Sequence, residues 1–125
     1  MTTKALIEKY QGKILEDDGA YKSAEFIAFA KAMRSVINSE LKRIGAKLTS
    51  FSVGHYDVSG FVERGGQYVY FSYSAPRRFP IDLARTDVMM GILVRTADGP
   101  RDYRGGINNF TNITLFADSV DRLLN

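Results

Sequence analysis

The sequence predicts an α+β fold in which a long N-terminal helix packs on a four-stranded, mostly antiparallel sheet and a short C-terminal helix closes the chain. Three observations point there. Apolar residues recur at steps of three and four through residues 23–44. From Lys47 the period drops to two. A Gly65-Gly66 pair then sits between two alternating runs, the signature of a tight hairpin whose turn needs positive φ. Helical and strand patterns come in blocks rather than in strict alternation, which argues against βαβ units.

Taken in order, residues 4–11 carry Leu6, Ile7 and Tyr10 at near-helical spacing, enough for a short opening helix. Glu16-Asp17-Asp18-Gly19 reads as a turn. The long helix follows over 23–44, with Phe26, Phe29, Ala30, Met33, Ile37, Leu41 and Ile44 as its apolar stripe. Ser23 is placed to cap its start, and Glu25 suits the positive end of the helix dipole. Lys42 and Arg43 suit the negative end, and Gly45 follows as the residue that leaves the helix.

Strands are expected at about 47–55, 58–64 and 67–74. A turn at Gly65-Gly66 fixes a register: Arg64 opposite Gln67, Glu63 opposite Tyr68, Val62 opposite Val69, Phe61 opposite Tyr70, Gly60 opposite Phe71. One face then holds Val58, Val62, Val69, Phe71 and Tyr73, a core on which the long helix can pack. The other holds Phe61, Tyr68 and Tyr70, an aromatic outer face to be left open or covered by the terminal helix or a second copy. Residues 75–86 form a proline-punctuated loop. Asp87–Thr96 is so continuously apolar that a central fourth strand is expected. A helix from about Thr114, with Phe116, Val120, Leu123 and Leu124 on one side, ends a single expected domain over 1–125.

Size and composition bound the function. A chain of 125 residues is long enough for a core without covalent staples. It has no cysteine, which excludes disulfides, thiolate catalysis and Cys-ligated zinc. No stretch reaches the roughly 20 apolar residues of a membrane span, and no apolar leader opens the chain, so a cytoplasmic protein with no membrane partner is expected. The net charge of +3 permits binding to nucleic acid or nucleotides without requiring it.

No catalytic set emerges. His55 is the single histidine and lacks a partner at readable spacing. Asp17 and Asp18 are adjacent and diverge on any regular element, and no metal-ligand, EF-hand, Walker or dinucleotide spacing occurs, so neither metal nor cofactor is expected. The chemistry-bearing segment is R-T-A-D-G-P-R-D-Y-R-G-G-I-N-N-F, Arg95 to Phe110, with three arginines, three glycines and two adjacent asparagines. Arginine forks match phosphate oxygens, and glycines let a backbone approach a ligand. Arg95, Arg101, Arg104 and Asn108 are therefore candidate ligand-binding residues, with Tyr103 and Tyr70 as stacking partners. The bland alternative is that Asp87, Asp98 and Asp102 neutralise the arginines locally, and that Asn108 or Asn112 caps the last helix.

The segments I-L-V-R-T-A-D-G-P-R-D-Y-R-G-G-I-N-N-F and L-F-A-D-S-V-D-R-L-L resemble the C-terminal half of small uncharacterised proteins encoded on bacterial mobile elements: phages, plasmids and integrative conjugative elements. The match rests on Arg95-Thr96-Ala97, Asp102-Tyr103, Gly105-Gly106 and Asn108, and covers about a quarter of the chain. The resemblance implies a mobile-element setting and no particular reaction. In that setting small proteins without catalytic residues act by binding, some as anti-CRISPR antagonists, some by sequestering nucleotide signals. The leading expectation is a non-enzymatic binding protein that holds a phosphate-bearing partner (nucleic acid, nucleotide or a host defence protein). The alternative is an interaction or homo-oligomerising module built on Phe61, Tyr68 and Tyr70. A metal-independent nuclease using His55 and Tyr56 ranks last.

Overall fold

Ser23 starts the long helix as its spacing predicts. In the computed structural model, which describes residues 1–15 and 23–124, its hydroxyl accepts from the Phe26 amide at 3.1 Å. The helix α2 runs Ala24–Arg43 and ends where Gly45 takes φ +72°. It buries Phe26, Phe29, Ala30, Met33, Val36, Ile37 and Leu41. The expected turn at 16–19 lies outside the described residues.

The first helix, α1 (Thr3–Tyr10), is the short one, so the long helix is second in the chain rather than N-terminal. Thr2 caps α1 through the Ala5 amide at 3.1 Å. The ring of Tyr10 then meets Phe29 edge-on, 5.0 Å between centroids.

Among the described residues the sheet has five strands, not four: β1 (Lys47–Val53), β2 (Asp57–Arg64), β3 (Gln67–Ser74), β4 (Ile92–Ala97) and β5 (Asn109–Thr111). They lie in sequence order, every neighbouring pair antiparallel. The Gly-Gly hairpin sets the expected register, Arg64 opposite Gln67 through Gly60 opposite Phe71. Both turn glycines have positive φ, +60° and +81°. The fifth strand escapes the sequence because three residues are too few to show alternation.

Two expectations about the fourth strand fail together. It begins at Ile92, not Asp87, and the middle of the sheet is β3. Asp87 is the cause. Its carboxylate accepts from the Met90 amide at 3.0 Å and its carbonyl from the Gly91 amide at 2.7 Å, closing a turn. A side chain on Gly91 would sit 2.6 Å from that carbonyl oxygen, so glycine is required there. Local Asp hydrogen bonding outcompetes the strand pattern.

The inner face carries Val58, Val62, Val69, Phe71 and Tyr73, all buried, beneath the helices. The closing helix α3 (Phe116–Leu123) packs on that same face, Phe116 edge-on to Phe71 at 5.3 Å. Asn112 prepares its start by accepting from the Leu115 amide at 2.9 Å. Arg64 leaves the hairpin to join both helix ends: it donates to the Ile44 carbonyl at 2.9 Å, to Asp121 at 2.6 Å and to the Leu124 carbonyl. No helix among the described residues is long and apolar enough to cross a membrane.

Candidate functional site

The outer face is covered neither by α3 nor left open at its centre. The segment 98–108, which joins β4 to β5, folds across it. Tyr103 reaches from that loop to Phe61, 5.2 Å and 79° between rings, and to Tyr70, 5.8 Å and 74°. Phe61 and Tyr70 face each other across β2 and β3 at 5.1 Å. Edge-to-face pairing of this kind matches ring edge to ring face. Phe61 is left 1% exposed, yet it stands outside the main core cluster. It is therefore not available as an intermolecular contact, which removes the centre of the expected interface of Phe61, Tyr68 and Tyr70. Tyr68 is half-buried opposite Glu63 and Ala97 and makes no ring contact among the described residues.

Four groups hold the loop in place. Arg95 lies opposite Tyr70 and lays its guanidinium over that ring, 4.5 Å from the centroid. It also donates to the Asp102 carbonyl at 3.1 Å and the Thr96 carbonyl at 3.4 Å, and is 4% exposed. Arg95 is a strut rather than an open ligand.

Asp102 is the second. One carboxylate oxygen accepts from the amides of Arg104 and Gly105, both at 3.0 Å, and the other from the Asp98 amide at 2.9 Å. Those backbone donors, Asp98 first and Arg104 next, hold its carboxyl below the usual carboxylate range. The Asp102 carboxylate is spent on the backbone.

The glycines complete the clip. A side chain on Gly105 would run into the Asp102 carboxylate. Gly106 has φ +78°, and a side chain there would lie 2.5 Å from the Thr96 carbonyl oxygen. Only glycine lets the loop pass so close to β4. The D-Y-R-G-G run is thus a folding device first.

Its consequence is what remains on the surface. Arg101 and Arg104 are exposed, and among the described residues neither forms an ion pair with Asp98, Asp102 or any other carboxylate. Tyr103, packed by one edge, is still 66% exposed. Asn108 is exposed and lines a shallow depression of about 240 Å³ with Ser72, Leu93 and Phe110.

The other arginines do not join this group. The proline loop enters β4 at Ile92 and the clipped loop leaves it at Ala97, so the two occupy opposite ends of the strand. Arg85 is held by Asp87, its Nε 3.0 Å from the carboxylate, and Arg77 lies over the Tyr56 ring at 4.7 Å. His55 stands in the β1–β2 turn, its ring 5.3 Å from Tyr56. No three His, Asp or Glu side chains converge as a metal site among the described residues.

Sequence reasoning missed that Asp102 grips the backbone and that Arg95 is buried. The first carried a signal, since Asp with glycine three positions on is Asx-turn chemistry. Comparisons with protein-family models, with curated proteins and with solved structures found no match for this chain.

Proposed function

We propose that this is a binding protein which holds a phosphate-bearing partner on the loop 98–108, with Arg101 and Arg104 as anion contacts and Tyr103 as a stacking surface. The observation that supports it most is the fate of Asp102. Its carboxylate is consumed by three backbone amides, so among the described residues two exposed guanidiniums stand without a carboxylate partner on a loop fixed by its own backbone. Guanidinium forks suit phosphate oxygens, and an exposed tyrosine ring suits a base. Preformed geometry lowers the ordering cost of binding. Asn108 adds a polar edge at the margin of the loop, while Arg95 and Tyr70 act beneath it as supports.

Single-stranded nucleic acid or a nucleotide is the favoured partner. The resemblance to mobile-element proteins adds the further reading of an antagonist of host defence, acting by occupancy rather than by chemistry.

The test is titration of a short labelled oligonucleotide, and separately of cyclic and linear nucleotides, at increasing salt. Binding that weakens with salt, and that Arg101→Ala with Arg104→Ala sharply weakens, supports the reading. Absence of binding at low salt, or binding indifferent to the double substitution, refutes it.

A further inference from the structure

The edge of the sheet far from the clipped loop is built differently. Among the described residues β1 has a neighbour on one side only. Its first half is blunted as sheet edges commonly are: Lys47 carries charge, and a bulge interrupts the register between Leu48 and Ser50. Its second half, Ser50 to Val53, runs straight against β2.

The hydrogen-bond alternation shows what that half offers. The Gly54 amide donates to the Asp57 carbonyl at 2.8 Å, so this is a bonded pair. Antiparallel pairs alternate between bonded and non-bonded. Ser52 opposite Ser59 is then bonded, while Val53 opposite Val58 and Phe51 opposite Gly60 are not. Phe51 and Val53 consequently turn their N–H and C=O groups away from β2, toward the open edge.

The side chains of those same two residues line a groove. Between β1 and α2 lies a depression of about 310 Å³ formed by Ile27, Ala30, Lys31, Arg34, Phe51 and Val53. Ile27 is 38% exposed beside it. Arg34 rests its guanidinium over the Phe51 ring at 5.4 Å. Among the described residues neither Lys31 nor Arg34 has a carboxylate partner.

We propose that this edge and groove receive an extended segment of a partner protein as a sixth strand, carrying apolar and acidic residues alternately on the side that faces α2. The backbone of Phe51 and Val53 supplies hydrogen bonds, the groove takes an apolar side chain, and Lys31 with Arg34 take the carboxylates. A second copy of this chain is the poorer occupant. Its β1 reads K-L-T-S-F-S-V, without an acidic residue, and a symmetric pairing brings two more cations to the same seam.

The probe is a synthetic peptide of about eight residues, Thr-Val-Thr-Glu-Thr-Val-Thr-Glu, with a counterpart in which lysine replaces glutamate. Isotope-labelled protein is titrated with each and followed by amide chemical shifts and hydrogen exchange. The glutamate peptide is expected to bind between about 10 μM and 1 mM, shifting residues 27–34 and 50–53. It should slow exchange at the Phe51 and Val53 amides and leave Ser52 unchanged, which groove filling alone does not do. Lys31→Glu with Arg34→Glu, both at exposed positions, should weaken the glutamate peptide at least about tenfold and favour the lysine peptide.

The proposal is overturned by any of four results: no shifts up to about 1 mM, shifts away from this edge, equal binding of both peptides, or unliganded protein that dimerises through β1. Binding of oligonucleotide at the loop is a separate readout in the same spectra, and its success or failure leaves this test intact.

Discussion

The two faces of the sheet are both buried at their centres, but by different means. The inner face lies beneath α2 and α3, whose apolar side chains form one core with Val58, Val62, Val69 and Phe71, while α1 packs on α2 through Tyr10 and Phe29. The outer face is covered by one loop, held by one carboxylate, two glycines and an arginine stacked on a tyrosine. Burial on the inner face is regular and cooperative. On the outer face it is local and conditional, because a few hydrogen bonds decide whether Phe61 is covered. Segments of that second kind open at lower free energy than a core does.

Truncation measures the contrast most directly. Phe71→Ala, in the inner core, is expected to cost about 3–5 kcal/mol in chemical denaturation. Phe61→Ala should cost roughly half as much, because the loop above it can relax into the space. Equal costs would show that the loop packs as rigidly as the helices do.

Next in size is the clip. Gly106→Ala forces a side chain toward the Thr96 carbonyl at positive φ and should cost about 1–3 kcal/mol. Its sharper signature is local: faster hydrogen exchange in 96–106 while β2 and the helices keep their protection. Uniform loss across the sheet would make the loop part of the global unit.

Acid tests the same clip without mutation. Asp102 titrates below its ordinary range in the folded chain, so its contribution is complete above the unfolded value, near 3.9, and is lost as pH falls through the lower folded value. Between neutral and acid pH the Tyr103 ring signals should therefore move only at the acid end, and Asp102→Asn should abolish that dependence. A transition near neutrality would assign the loop to some other group.

Smaller still on stability is Arg101→Ala with Arg104→Ala, expected within about 0.5 kcal/mol of the parent. Its effect belongs to binding, where the slope of log affinity against log salt should fall by about 2. A comparably small effect is expected on the inner face. Among the described residues the buried Tyr73 hydroxyl has no hydrogen-bond partner, and burial raises its pKa far above the usual tyrosine value. Tyr73→Phe should be neutral or stabilising by less than about 1 kcal/mol, by thermal melting.

The same contrast explains what the sequence made legible. The inner face was readable because periodicity carries it: the stripe from Phe26 to Leu41, the hairpin register and its five core residues all follow from spacing. The outer face was only half readable. Alternation placed Phe61 and Tyr70 there, but Tyr103 covers them through a loop with no period. Asp87 defeated the long fourth strand by one side-chain hydrogen bond. Arg95, counted with the exposed arginines, sits on a strand position that points it under the loop. The β1 groove left no signal, since Lys31, Arg34, Phe51 and Val53 are brought together by packing.

The Asp102 clip has one more consequence, for the history such a surface can have. The carboxylate grips amides, and the amides of residues 98, 104 and 105 are the same whatever side chains those positions carry, proline apart and except where glycine is required. Positions 101 and 104 are thereby released from the work of folding. Substitution at them alters what the loop meets without altering how the loop is made. A protein built this way can change what its loop meets by altering two codons.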